Sequence, residues 1–287
     1  MISSQENVLL KAVTGLEGGL VASGSTCGVV TGGALGLALA HDNELQKKGM
    51  IAEAEVLSLV GKYFRWFEES FGSSFCRERS GVDFYTAIGQ LRYFLPGDKV
   101  GKCLWHIRSA TRHLYTFREN DLLSMDMEPN TTPETPIHCA QSVLRGIRER
   151  NGVGDPLLER LSFIFDGGVG LQGGVCGALA GAVMGINLLL GMNIRNTKYF
   201  QTIKAFAEGH VNLLLKKPMG KPEPFGVGKD IVKRFRAEAG GTECSSITKM
   251  KFSNWADFQQ HISSSDQCKR LIEFATTEAS HAIQKLL

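Results

Sequence analysis

The 287-residue chain is short of most patterns that announce a function. No two of its 7 cysteines lie two to four positions apart, so the usual zinc and iron–sulfur spacings are absent. There is no GxxxxGK[ST] phosphate loop, and no strand signal precedes the glycine runs. Strand-type alternation is scarce throughout. No Ser/His/Asp arrangement and no pair of carboxylates has a recognisable spacing. The net charge is only +3, and no basic patch interleaves with aromatics, which argues against nucleic acid as a partner. The opening stretch MISSQENVLLKAV lacks a basic segment followed by an apolar one and a cleavage site. A cytoplasmic protein with reduced thiols is therefore expected.

Glycine, in contrast, is abundant at 33 residues, much of it inside apolar runs. Residues 18–40 and 167–194 carry no charge. Each is long enough for a membrane span, and Gly24, Gly28, Gly32 and Gly36 have the spacing of a membrane helix dimer face. Their flanks, however, lack aromatic belts and basic clusters. The expectation is a buried central helix in each run, about Gly24–Ala40 and Gly173–Gly191, with glycines admitting close neighbours. Membrane association is not expected.

A shift of 149 positions superimposes the two runs. Gly18, Gly19, Gly24, Cys27, Gly28, Gly32 and Gly36 fall on Gly167, Gly168, Gly173, Cys176, Gly177, Gly181 and Gly185, and Glu17 falls on Asp166. With insertions, FCRERSGVDF around Cys76 matches ECSSITKMKF around Cys244. KCLWHIRSA around Cys103 matches QCKRLIEFA around Cys268. The chain reads as an internal duplication: residues 1–118, a linker at 119–136, and residues 137–287. The second half adds Cys139, for which the first half starts too late to hold a counterpart.

Elsewhere the periodicity is helical. Val56, Val60, Phe64, Phe67 and Phe71 recur at spacings of three and four, giving one apolar face. Thr135 and Pro136 read as the cap and first turn of a helix carrying Cys139, whose thiol would then feel the positive helix end and ionise readily. Cys103 and His106 would share a helical face, but Leu271 replaces the histidine in the other half, so a solvated His106 is expected. Adjacent His138 and Cys139 would point apart.

The segments CAQSVLRGI and GGVGLQGGVCGALAGAVMG, followed by Cys244 and Cys268, resemble the C_GCAxxG_C_C family of redox-active proteins. The second half carries all four cysteines of that pattern, Cys139, Cys176, Cys244 and Cys268. The first half carries three, Cys27, Cys76 and Cys103. The resemblance implies an all-α fold, and with the duplication the expected architecture is two homologous helical-bundle halves about a pseudo-twofold axis. It also implies a redox or metal role, with an iron–sulfur cluster or other metal as the expected cofactor. Split-Soret cytochromes are similar to this family but attach haem through CxxCH; this chain has no CxxCH, so covalent c-type haem is not expected. Electron transfer or thiol redox chemistry through Cys139, Cys176, Cys244 and Cys268 is the expected function, with Cys27, Cys76 and Cys103 as a related smaller group. An electron donor or acceptor protein is the expected partner, and a homo-oligomer is compatible. In a dithiol–disulfide reading, Cys139 would be the attacking thiol. The alternative is a helical scaffold or interaction module whose cysteines are simply buried.

Overall fold

The computed structural model describes residues 4–116, 136–216 and 218–287. The expected linker lies outside these residues, Pro136 excepted. Among the described residues the regular structure is helical and no strand forms. The first half holds α1 (Ser4–Ala12), α2 (Gly28–Ala40), α3 (Asp42–Lys48), α4 (Met50–Phe71), α5 (Cys76–Ser80), α6 (Ala87–Phe94) and α7 (Asp98–Leu114). The second holds α8 (Cys139–Asn151), α9 (Pro156–Leu161), α10 (Gly177–Leu190), α11 (Tyr199–Leu214), α12 (Pro224–Ala239), α13 (Cys244–Thr248), α14 (Trp255–Ser264) and α15 (Asp266–Gln284). No described element of the first half corresponds to α8.

The duplication is visible in the backbone. Each half has a 3₁₀ turn, Val13–Leu16 and Ser162–Phe165, just before its glycine run. Five consecutive residues then turn left-handed, with φ of 63°, 76°, 64°, 49° and 55° from Gly18 to Ala22, and 57°, 80°, 63°, 60° and 66° from Gly167 to Leu171. Left-handed residues normally occur singly, because Cβ crowds the following carbonyl. Here equivalent hydrogen bonds hold the turn. Val21 N–H donates to Gly15 O at 2.7 Å, as Gly170 N–H does to Ile164 O at 2.8 Å. Gly24 and Gly173 are left-handed too, so the helices begin four residues later than their composition suggests, with Cys27 and Cys176 as the residues that precede them.

The halves interlock. α1 and the Val13–Leu16 turn pack on α10, while α9 and the Ser162–Phe165 turn pack on α2. α4 covers the second 3₁₀ turn and α12 covers the first. One continuous apolar core results, with Tyr63, Phe64, Phe67, Phe163, Phe165 and Phe235 completely buried. Arg160 of α9 grips Asp42 of α3 through two bonds of 2.7 and 3.0 Å across the same boundary.

The two glycine-run helices differ in burial. α10 is buried from Gly177 to Asn187. α2 exposes Gly32 and Gly36, so the expectation of a fully covered helix in both halves holds only for α10. α8 lies along that flank of α10, and among the described residues no counterpart covers α2. Among the described residues, no helix is long and apolar enough to cross a membrane.

Candidate redox site

All seven cysteines are free thiols. Four of them line one cavity of about 20 Å³: Cys139, Cys176, Cys244 and Cys268, with Ile247, Phe258, His261 and Leu271 around them. Each thiol comes from a different element. Cys139 opens α8, Cys176 caps α10, Cys244 opens α13, and Cys268 stands in the first turn of α15.

Backbone pairing aligns these elements. Val175 and Glu243 form an isolated antiparallel bridge, and Thr26 and Phe75 form its counterpart. Cys176 N–H donates to Thr242 O at 2.9 Å, and Cys244 N–H donates to Gly174 O at 2.7 Å. Glycine is required at two contacts. A Cβ on Gly168 would lie 2.7 Å from Cys244 Cβ, and one on Gly177 would lie 2.8 Å from Cys139 Cβ. The glycines of the repeated motif thus make room for the cysteines.

The second-half thiols resist ionisation. Burial pushes Cys139 well above the ordinary thiol value, and the Asp166 carboxylate and the other three cysteines add to the effect. Burial takes Cys176 to about 11, although the amides of Leu179 and Ala178 at the start of α10 favour its thiolate. Burial raises Cys244 and Cys268 as well; beside Cys268, Ser265 acts in the opposite direction. The expectation of a readily ionised Cys139 is therefore corrected: desolvation and a neighbouring carboxylate outweigh its helix-end position. Pro136 lies ahead of α8 rather than inside it, and His138 is the residue preceding the helix.

His138 does point away from Cys139. Its Nδ1 lies 2.7 Å from Asp166 Oδ2, and its Nε2 lies 3.4 Å from Glu53 Oε2 of α4. Asp166 Oδ1 accepts the N–H of Cys139 at 3.2 Å. Burial opposes a charge on His138, but the two carboxylates overcome it and lift its pKa to about 10. A buried ion pair thus locks the start of α8 to both halves. The sequence signal for it was the match of Asp166 to Glu17 in the repeat.

The first half is chemically different. Cys27 caps α2, Cys76 opens α5 and Cys103 lies in α7. Arg79 Nη1 donates to Cys27 Sγ at 3.0 Å, and Arg79 Nη2 meets His106 Nδ1. The guanidinium also lies over the ring of Phe67, 4.5 Å from its centroid. Burial raises the Tyr93 pKa, and the nearby Cys103 adds to the effect. His106 is 2% exposed, not solvated as its isolation in the sequence suggests, because Arg79 and Phe71 enclose it. In register with Cys76 and Cys103, Arg79, Tyr93 and His106 replace Ile247, Phe258 and Leu271 of the second cavity. Burial raises the Cys27 pKa, the Arg79 charge pulls it down, and Cys103 pushes it up.

A larger cavity, about 730 Å³, lies between α11 and the chain leading into α12, lined by Met192, Phe206, Val211 and Phe225. It contains no cysteine, and Glu17, Glu208, Lys221 and Glu223 also line it.

No curated protein and no solved structure matches the chain. One family model does, over residues 1–114 and again over 137–281, and its description is "Putative redox-active protein (C_GCAxxG_C_C)". The repeated glycine-cysteine motif, the matched helices and these two matched segments agree: the chain belongs to the C_GCAxxG_C_C family and is built from two tandem copies of it.

Proposed function

We propose that the second half carries a redox centre in which Cys139, Cys176, Cys244 and Cys268 act together in electron transfer. The observation that carries this reading is the convergence of four thiols, from four separate elements, on one apolar cavity. A structural core needs no such gathering, since a buried cysteine packs as well beside leucine.

The donor set suits a soft, thiophilic cation such as iron or zinc. The thiols are held protonated by burial, and a cation would supply the charge that makes four thiolates tolerable there. When bound, a metal would supply the redox couple or polarise the sulfurs, while the chain's part is to present the thiols, exclude water and fix α8 through His138 and Asp166. A second reading has its own support. Among the described residues, no three His, Cys, Asp or Glu side chains stand in a ready-made ligand arrangement. In that reading two of the four thiols lose two protons and two electrons to an acceptor protein, and one S–S bond forms.

Anaerobic protein titrated with Fe²⁺ or Co²⁺ separates the readings. Thiolate charge-transfer bands that vanish in Cys176→Ser and persist in Cys76→Ser support the metal centre. No bands, but a reversible disulfide among the four cysteines by peptide mapping, supports the dithiol. Neither result would leave a helical scaffold and sink the redox centre.

A further inference from the structure

The halves differ most where α8 lies. Its seat is a face of α10 and α15. A Cβ on Gly181 would lie 2.7 Å from Ala140 O, and one on Gly185 would lie 2.5 Å from Ile147 Cδ1. On α15, Thr276 packs on Gly146, and Glu273 takes Arg150 at 2.7 and 2.8 Å. Arg150 Nη1 also donates to Thr277 Oγ1 at 2.9 Å.

The first half builds the same seat. Gly32 and Gly36 of α2 replace Gly181 and Gly185, and Thr111 of α7 replaces Thr276. Among the described residues, nothing lies within 4 Å of a Cβ placed on Gly32 or Gly36. Both glycines are exposed, as are Ile107, Thr111 and Tyr115 of α7 beside them. The rim charge is reversed: Arg108 and Arg112 stand where Glu273 and Thr277 hold Arg150. The α8 of a second copy would bring Arg150 against these two arginines, so the seat rejects it. At the other end, the buried Nε of Arg79, beside Cys27, has no acceptor among the described residues.

We propose that the groove between α2 and α7 docks an amphipathic helix of a partner protein, small and apolar on its buried face and acidic near its C-terminal end. It lies as α8 lies on α10 and α15. Its N-terminal end then rests over Gly28, beside Cys27, as Cys139 rests over Gly177. The geometry follows from the duplication: the same glycine spacing fixes how closely a helix approaches, and the arginines select its charge. This surface does not depend on the second-half redox centre.

The test uses the full-length reduced protein and two fluorescein-labelled, helix-stapled peptides. One has the sequence of residues 137–151; the other has the same sequence with Arg150→Glu. The Arg150→Glu peptide should bind at least about tenfold tighter, the effect of replacing repulsion with attraction at Arg108 and Arg112. Gly36→Leu should abolish that binding without lowering the thermal unfolding temperature of the protein, because its side chain enters open space and replaces a poor helix former. Arg108→Glu should shift the preference toward the unmodified peptide. Equal binding of both peptides overturns the proposal. So does binding that survives Gly36→Leu, or no binding at about 1 mM. Self-association lost in Gly36→Leu would assign the groove to a second copy and overturn it as well.

Discussion

Val175 N–H donates to the hydroxyl of Thr26 at 2.8 Å, and these two buried residues are equivalents 149 positions apart. They stand where the two halves meet. Each also forms the bridge that seats a middle cysteine, Thr26 with Phe75 and Val175 with Glu243. The contact therefore joins the two cysteine sites at their shared backbone. Thr26→Val keeps the shape but removes the acceptor, leaving a buried N–H unpaired. It should cost about 1–3 kcal/mol of stability, read from the urea midpoint, whereas Thr26→Ser should cost about 1 kcal/mol or less. A Thr26→Val protein as stable as the parent would show that this bond does not hold the halves.

Gly32 and Gly181 are equivalent in sequence and opposite in surroundings. Gly32→Ala meets open space and replaces a poor helix former, so it should stabilise by about 0.5–1 kcal/mol. Gly181→Ala drives a methyl into the backbone of α8, with Ala140 O at 2.7 Å and Ala140 Cα at 3.0 Å, and should destabilise by about 1–3 kcal/mol or more. Thermal melts of the two variants give the sign directly, and equal effects would contradict the placement of α8.

The His138 network should give stability a pH dependence. The imidazole is lifted to about 10 in the folded chain, against about 6.5 when unfolded. Its contribution is therefore complete below about pH 6.5 and is lost as pH rises toward 10. Removing only His138 would strand Asp166 as a buried charge and cost about 3–5 kcal/mol. The informative variant is the double change His138→Gln with Asp166→Asn. Its urea midpoint should change less between pH 7 and about 10 than that of the parent. A parent with no such decline would place the charge elsewhere.

The repeat was legible because a duplicated backbone keeps the residues that its strain demands. Gly18, Gly19 and Gly24 recur with Cys27 since the left-handed turn and the thiol contacts need them together. The convergence of Cys139, Cys176, Cys244 and Cys268 was legible through their order. What escaped was long-range. Arg79 reads as one more surface charge until α5 folds it onto Cys27 and His106. Leu20 and Val21 have no sequence mark of their left-handed φ, which tertiary packing imposes. The open flank of α2 depends on what packs beside it, and among the described residues nothing takes the place of α8 there; local pattern does not register that.

The contrast between the two cysteine sites makes a final prediction about reactivity. Cys27 is held up by burial and drawn down by the adjacent guanidinium of Arg79. In the second half, Ile247 occupies the position of Arg79 and no arginine lines the cavity. Arg79→Ile copies that lining into the first half and removes the attraction, so the Cys27 pKa should rise further. Because the thiolate is the nucleophile, alkylation of Cys27 by iodoacetamide should slow, and its pH profile should move to higher pH. Arg79→Lys, which keeps a cation there, should restore part of the rate. Cys176 serves as the internal control, since Arg79 is not among the groups that shift it. Mass spectrometry of the labelled peptides measures both sites in one sample. If Arg79→Ile leaves the Cys27 profile unchanged relative to Cys176, the guanidinium does not tune the thiol, and its role is to fill the cavity against Phe67 and His106.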